Sequence, residues 1–152
     1  MAKEIERKFL LKKDYWPHDN CTRYRQGYLC RLKERTVRVR VAGDKGYLTI
    51  KGASDGASRS EFEYDIPLQD AEMLLDLCEQ PLIEKNRYKV VLGDLTWEID
   101  EFFGENQGLV IIEVELESED QEYAKPDWVG EEVTSDPRYY NANLITNPYL
   151  KW

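Results

Sequence analysis

Carboxylates stand at every second position in three separate short segments of the sequence. The six acidic positions are Glu4, Glu6, Glu61, Glu63, Glu113 and Glu115. Side chains two positions apart on a β-strand point to the same face, so each pair would present its two carboxylates together. Carboxylate oxygens clustered without histidine or cysteine are ligands that Mg²⁺ and Mn²⁺ prefer. If the three segments converge as strands, they can hold divalent metal ions.

Arginine and lysine show a similar alternation in other segments. The basic positions that share a predicted strand face are Lys8, Arg38, Arg40, Lys51, Lys85 and Arg87. Arginine stands at 38, 40 and 87, and its planar guanidinium can bind two oxygens of a phosphate or carboxylate at once. The sequence therefore predicts a cluster of cations suited to a phosphate-containing ligand.

An ordinary charged surface is the simpler interpretation of these segments. In a common antiparallel sandwich the apolar faces would form the core, and the charges would face water in salt bridges worth about 0–1 kcal/mol each. The charges are sorted by strand, however, with Arg38 and Arg40 on one segment and Glu61 and Glu63 on another. A surface shaped only for solubility would mix the two signs. The sorting favours charged faces that converge on a ligand.

Alternating apolar and polar residues predict about eight β-strands along the chain. The predicted strands cover residues 4–8, 28–32, 36–41, 47–51, 60–66, 83–92, 95–103 and 109–117. Glycine-containing turns at 42–46 and around Gly93 predict hairpins between neighbouring strands. The strands are therefore expected to be largely antiparallel.

Short helices are predicted where the alternation stops. Residues 69–80 carry leucines at helical spacing. Ser118 begins a sequence that resembles a capping box, which predicts a helix over 119–125. Asp136 precedes a proline at the first helical position, which predicts a helix over 137–145.

About eight antiparallel strands can close into a barrel whose interior holds one small ligand. With the charged faces inward, the lumen receives seven acidic and six basic side chains, because Asp100 joins the acidic positions named above. Unpaired buried charges cost several kcal/mol each, so such a lumen requires a ligand. Divalent cations together with a triphosphate bring the sum close to neutral. The predicted fold is mainly β (α+β), an eight-stranded antiparallel β-barrel tunnel with a charged lumen, flanked by a few short helices.

The composition is that of a single globular domain, predicted to span residues 1–152. Of the 152 residues, 41% are hydrophobic and 34% are charged, and the net charge of −9 disfavours nucleic acid and anionic membrane surfaces as partners. No apolar run approaches the ~18 residues of a membrane span, and no signal peptide is recognisable, so a cytoplasmic location is expected. The three cysteines lack a CxxC spacing, which predicts reduced thiols and no zinc site.

The segment EIERK at residues 4–8 resembles the ExExK signature of the CYTH superfamily, the triphosphate tunnel metalloenzymes. Further segments similar to the family pattern follow in order and cover nearly the whole chain. They are RQGYL (25–29), TVRVRV (36–41), TIK (49–51), EFE (61–63), EKNRY (84–88), EIDEF (98–102), EVE (113–115) and GEEVTSDPRYYN (130–141). Length and motif spelling resemble most the short, single-domain bacterial branch, whose members include inorganic tripolyphosphatases.

The resemblance implies a role for each charged position. The residues implied to bind two Mg²⁺ or Mn²⁺ ions are Glu4, Glu6, Glu61, Glu63, Glu113 and Glu115. Those implied to hold phosphate oxygens are Lys8, Arg38, Arg40, Lys51, Lys85 and Arg87. Lys85, Tyr28 and Lys8 are implied to act in catalysis, with Asp100 in a supporting position. Tyr28 is similar to the tyrosine that pairs with the late lysine, here Lys85, in the short bacterial enzymes.

These features favour a metal-dependent hydrolase that cleaves the terminal phosphoryl group of a small-molecule triphosphate, in the first place inorganic tripolyphosphate. Phosphoryl transfer depends on positioning and charge neutralisation, and Lys85 with Tyr28 would stabilise or protonate the leaving phosphate. The same tunnel could serve a thiamine or nucleoside triphosphatase or a class IV adenylate cyclase. A non-catalytic module that binds polyphosphate or nucleotide is the third hypothesis.

Overall fold

In the computed structural model, which describes residues 3–18 and 20–152, nine β-strands form one antiparallel sheet. The strands are β1 Lys3–Leu11, β2 Thr22–Leu32, β3 Arg35–Ala42, β4 Lys45–Gly52, β5 Ser58–Ile66, β6 Ile83–Leu92, β7 Leu95–Phe102, β8 Val110–Glu115 and β9 Val129–Glu132. Eight of them correspond to the predicted strands. The ninth, β9, is too short for its alternation to stand out in the sequence.

Eight strands form a closed ring in the order β5, β4, β3, β2, β6, β7, β8 and β1. The ring is closed by β1 and β5, which pair from Lys3 with Ser60 to Ile5 with Ser58. The remaining strand, β9, extends the sheet along the second half of β1. The predicted antiparallel tunnel of eight strands is therefore confirmed.

Both predicted hairpins are present. A turn through Gly43 joins β3 to β4, and a turn through Gly93 joins β6 to β7. The φ angles of these glycines are 61° and 62°, a conformation that glycine adopts without steric cost. The strand predicted over 28–32 is longer in the structure and begins at Thr22, because the alternation of inward and outward residues continues toward the N-terminus.

The helical content is smaller than predicted. The helix α1 spans Leu68–Leu75, so the helix predicted over 69–80 ends early. The helix predicted over 119–125 is wrong, because these residues form no helix and Tyr123 instead packs against Trp97. This segment has no apolar stripe that a helix could bury. None of the described helices is long and apolar enough to span a membrane.

The segment predicted as a helix over 137–145 forms two 3₁₀ helices. The 3₁₀ helices of the described chain are Gly104–Asn106, Pro137–Tyr139, Asn141–Leu144 and Tyr149–Lys151. Tyr140 interrupts the predicted helix with an extended backbone, at φ −75° and ψ 129°. The predicted start is correct, because the Asp136 side chain accepts a hydrogen bond from a backbone N–H of the first turn.

Apolar side chains pack on the outside of the ring and at one end of it. The helix α1 places Ala71 and Leu75 against Val39 of β3. After β8 the chain covers the outer face of β7, where Trp128 packs on Trp97. The C-terminal 3₁₀ helices contribute to a third apolar cluster with residues of β2, β6, β7 and β8. These layers leave the charged faces of the strands for the interior.

Candidate active site

The ring encloses a cavity of about 940 Å³. Every charged position predicted from the sequence lines this cavity except Asp100, which is completely buried in its wall. The volume lies within the range of about 300–1,000 Å³ that is typical of small-molecule sites. The charged faces of the strands therefore converge on one place.

The six predicted metal ligands lie on three neighbouring strands, β5, β1 and β8. In that strand order they are Glu61 and Glu63, Glu4 and Glu6, and Glu113 and Glu115. We call this group the acidic wall. Glu6 stands directly opposite Glu115 in the pairing of β1 with β8. Glu4 and Glu113 are buried, whereas Glu63 is exposed, so the acidic wall extends from the interior toward solvent.

Burial and neighbouring charges act in opposite directions on the acidic wall. Burial and the charge of Glu113 raise the pKa of Glu6 to about 8, although Lys8 opposes this. Burial also acts to raise the pKa of Glu113, but the charges of Lys8 and Arg87 outweigh it and hold that pKa well below its usual range. Lys8 Nζ lies 2.9 Å from Glu113 Oε2 and 3.3 Å from Glu6 Oε1. Lys8 thus contacts both carboxylates, and Arg87 Nη2 also lies 3.5 Å from Glu113 Oε1.

Two buried arginines have no carboxylate partner within the described part of the chain. Arg38 Nη2 donates a hydrogen bond to Thr49 Oγ1 at 3.1 Å, and its buried Nε has no partner there. Arg40 Nε donates to Gln26 Oε1 at 2.8 Å. Each arginine is only 8% exposed. Because an unpaired buried charge is costly, this pair marks a place for an anion.

Asp100 joins Lys85 and Arg87 inside the wall of the cavity. Its oxygens lie 2.8 Å from Lys85 Nζ and 2.8 and 2.9 Å from Arg87 Nε and Nη2. Burial by itself would raise the pKa of Asp100, but the charges of Arg87 and Lys85 lower it to about 2. Lys51 is also paired, with its Nζ 2.9 Å from Glu4 Oε1. Lys85, Arg87 and Lys51 therefore each have a carboxylate partner, in contrast to the two unpaired arginines.

Lys85 is 1% exposed and lines the cavity. Its Nζ donates hydrogen bonds to Asp100 Oδ2 at 2.8 Å and to Asn141 Oδ1 at 2.9 Å. Burial lowers the pKa of this amine to about 7, opposed by the charge of Asp100 and assisted by those of Arg87 and Arg40. An amine with such a pKa can give and take a proton near neutral pH.

Tyr28 lines the cavity without the contact that the resemblance implied. In the described part of the chain the Lys85 amine donates hydrogen bonds to Asp100 and Asn141, and no hydrogen bond joins it to Tyr28. Tyr28 is buried in the apolar cluster with Ile83 and Phe102. Burial of its ring against these neighbours holds it at the end of the cavity that the C-terminal segment covers.

Tyr24, Gln26 and Asn141 belong to the site but are not among the residues predicted from the sequence. Tyr24 and Gln26 continue the inward face of β2 from Tyr28 at a spacing of two, which is the signal that could have identified them. Asn141 lies in the segment GEEVTSDPRYYN, but no periodicity places its side chain in the lumen. Its contact with Lys85 joins residues 56 positions apart and is visible only in the folded chain.

The ring of Tyr24 lies between two guanidinium groups. Arg40 Cζ is 4.6 Å and Arg87 Cζ is 4.8 Å from the ring centroid. A desolvated cation–π contact contributes about 2 kcal/mol.

We expect Tyr24→Leu to lower the free energy of unfolding by at least about 2 kcal/mol, and Tyr24→Phe to lower it much less because the ring remains. Urea denaturation of both variants checks this, and equal losses would contradict a role for the ring face.

The acidic wall has the donor chemistry of a divalent-cation site without forming a complete ligand set. Among residues 3–18 and 20–152, no group of three or more histidine, cysteine, aspartate or glutamate side chains is arranged to hold a metal ion. Mg²⁺ commonly takes one or two carboxylates and completes its coordination with water and substrate phosphates. The wall fits a cation that is shared with an anionic ligand.

Known proteins resemble this chain along nearly its whole length. The family model of the CYTH domain matches residues 2–149. An inorganic triphosphatase of Acetivibrio thermocellus is 56% identical over 151 residues, covering 98% of this chain and 97% of that protein. An inorganic triphosphatase of Nitrosomonas europaea is 39% identical over 145 residues, covering 93% and 95%. The crystal structure of an inorganic triphosphatase matches with a TM-score of 0.67 and 37% identity, covering 95% of each chain. The resemblance inferred from the sequence is confirmed, and the chain belongs to the CYTH family.

Proposed function

We propose that this protein is a metal-dependent triphosphatase that cleaves the terminal phosphoryl group of inorganic tripolyphosphate. Two relatives, at 56% and 39% identity, carry the name inorganic triphosphatase. The observation that carries the proposal is the pair Arg38 and Arg40, two buried guanidinium groups without a carboxylate partner in the described chain, inside the cavity of the ring. A chain of phosphates supplies the anionic oxygens that these groups lack.

The phosphate chain is proposed to contact all six basic residues of the cavity. They are Lys8, Arg38, Arg40, Lys51, Lys85 and Arg87. The two unpaired arginines would bind most strongly, because no carboxylate has to be displaced from them. Lys8 and Lys51 already pair with carboxylates of the acidic wall, so their contacts would be shared between the wall and the phosphates.

The acidic wall is proposed to hold two Mg²⁺ or Mn²⁺ ions through the oxygens of Glu4, Glu6, Glu61, Glu63, Glu113 and Glu115. When bound, such ions supply charge neutralisation at the phosphate oxygens and activate a water molecule. The raised pKa of Glu6 supports this assignment, because burial and the charges of Glu113 and Glu4 outweigh the nearby lysines, and a bound cation would offset them. Release of the Glu6 proton would accompany the arrival of a cation.

Lys85 is proposed to supply the proton that the leaving phosphate needs. Its amine is completely buried, lines the cavity and has a pKa lowered to about 7, chiefly by burial. Asp100 and Asn141 hold the nitrogen in place by accepting its hydrogen bonds. Proton donation by a positioned side chain contributes typically about 10²–10⁴-fold to a rate.

Hydrolysis of tripolyphosphate by the purified protein tests the proposal directly. We expect phosphate release in the presence of Mg²⁺ or Mn²⁺, loss of it with excess chelator, and a rate reduced about 10²-fold or more in Glu4→Ala, because loss of groups that support a metal site costs about 10–100-fold. Glu117→Ala is the matched control, because Glu117 is exposed outside the acidic wall. Phosphate release that is absent, or equal in the wild type and Glu4→Ala, would refute the proposed activity.

A substrate panel separates the proposal from its alternatives. Tripolyphosphate, ATP and thiamine triphosphate are compared at equal concentration, with cyclic AMP measured in the ATP reaction. We expect the highest kcat/KM for tripolyphosphate. A higher value for an organic triphosphate would assign the same site to a thiamine or nucleoside triphosphatase, formation of cyclic AMP would assign it to a cyclase, and binding without turnover to a non-catalytic module.

Two further predictions concern the whole chain. We propose that residues 1–152 act as one domain, which the match of the family model to residues 2–149 supports. The cytoplasmic location stays a prediction from the sequence, which shows no apolar run of membrane-spanning length and no recognisable signal peptide.

A further inference from the structure

Two amide side chains connect Lys85 with Arg40 across the cavity wall. Arg40 Nε donates to Gln26 Oε1 at 2.8 Å, and Gln26 Nε2 donates to Asn141 Oδ1 at 3.3 Å. The same Asn141 oxygen accepts a hydrogen bond from Lys85 Nζ at 2.9 Å. A phosphate-binding candidate and the proton-donor candidate thus share one hydrogen-bonded chain.

The direction of each bond in this chain follows from the chemistry of Arg40. A guanidinium can only donate hydrogen bonds, so Gln26 must turn its oxygen toward Arg40. The nitrogen of Gln26 then faces Asn141 as a donor, and Asn141 must present its oxygen. That oxygen is therefore oriented as an acceptor for Lys85 as well.

Asn141 is held in place by the apolar packing of its own segment. It begins the 3₁₀ helix Asn141–Leu144, and Leu144 and Ile145 are buried in the cluster that contains Phe102. Phe102 also lies under the Lys85 amine, with the ring centroid 5.3 Å from Nζ. Packing of the C-terminal segment therefore fixes the position of the Asn141 oxygen relative to the amine.

We propose that Asn141, oriented by Gln26, is the positioning residue that holds the Lys85 amine for proton transfer. This inference rests on the proposed role of Lys85 in triphosphate hydrolysis. The charged groups around the amine are Asp100 on β7, Arg87 on β6, Arg40 on β3 and Glu113 on β8. Asn141 adds a neutral acceptor that favours the ammonium form without adding charge.

Substitutions of Asn141 with opposite electrostatic effects test the inference. In Asn141→Leu the ammonium loses an acceptor, so the Lys85 pKa falls and the alkaline limb of the kcat profile moves about one pH unit lower. In Asn141→Asp both accepted hydrogen bonds remain and a negative charge is added, so the limb moves about one pH unit higher. NMR titration of the Lys85 Cε and Nζ signals in metal-free protein should show the same two shifts.

The controls separate positioning from a loss of structure. Asn147→Leu and Asn147→Asp change an exposed asparagine of the same C-terminal segment and should leave both the profile and the titration unchanged. If Asn141→Leu does not fold, Gln26→Leu replaces it, and a smaller shift in the same direction is expected because Asn141 can then rotate. A lower kcat without opposite pH shifts in the Leu and Asp variants would overturn the inference. If the wild type does not hydrolyse tripolyphosphate, the proposed function is refuted. The NMR titration still shows whether Asn141 accepts a hydrogen bond from the Lys85 amine.

Discussion

Replacing Arg38 by leucine is expected to lower kcat/KM for tripolyphosphate by about 10²–10³-fold, the usual effect of removing one donor that stabilises a transition-state anion. The same substitution should leave the free energy of unfolding unchanged or raise it. Arg38 has one hydrogen bond, to Thr49, and a buried Nε without a partner in the described chain. Its charge also disfavours the protonated form of nearby Arg40. Folding without this guanidinium therefore avoids the cost of burying an unpaired charge.

Steady-state kinetics and urea unfolding of the same preparations check the Arg38 prediction. Arg35→Leu is the matched control, because Arg35 is exposed on the same strand and does not line the cavity. Arg87→Leu provides the contrast. Arg87 pairs with Asp100, so its loss should reduce stability together with activity. A stability loss in Arg38→Leu as large as that in Arg87→Leu would contradict the distinction between an arginine without a carboxylate partner and one that also pairs with Asp100.

Asp100→Asn is expected to lower the free energy of unfolding by about 3–5 kcal/mol at neutral pH, because it leaves buried cations without their partner. Asp100 is completely buried and accepts hydrogen bonds from both Lys85 and Arg87. The effect should depend on pH in a defined direction. The charges of Arg87 and Lys85 lower the pKa of Asp100 from 3.8 to about 2, so its contribution is present above pH 3.8 and is lost as the pH falls toward 2.

Urea unfolding across a pH series checks the Asp100 prediction. The stability difference between wild type and Asp100→Asn should shrink as the pH falls below about 4. Asp65→Asn is the control for an exposed aspartate on a strand of the same ring. A difference that persists unchanged into the acid range would show that the Asp100 carboxylate does not act through its charge.

The alternation of charged and apolar residues along each strand predicts the tunnel. The pattern is visible within a few residues, yet it decides which face of every strand points into the ring. Strands such as β3 carry arginines on one face and valines on the other, and only one of these faces can line the interior. Which face lies inside follows from the sorting of charge by strand. Arg38 and Arg40 can therefore be assigned to the cavity from the sequence alone, before the closure of the ring is known.

Contacts across long stretches of chain are what the sequence does not reveal. Asn141 contacts Gln26 at a separation of 115 residues, and no local pattern specifies such a pair. The helix predicted over residues 119–125 is wrong for a related reason. Its capping residues are present, but Tyr123 and Trp128 pack against the apolar cluster on the outer surface of the ring, and residues 119–125 form no helix. Tertiary packing overrides a local helix signal there.

The closure of the ring by β1 has a consequence for synthesis on the ribosome. β1 takes partners from residues 58–60, 111–115 and 129–132, so all of its neighbours are synthesised long after β1 itself. A nascent chain that ends before β8 already contains Arg38, Arg40 and Arg87 and yet has no enclosed site. Such distant pairings favour slow folding. The cavity therefore forms only after β8 has been synthesised, and a shorter nascent chain lacks the strand that completes the ring.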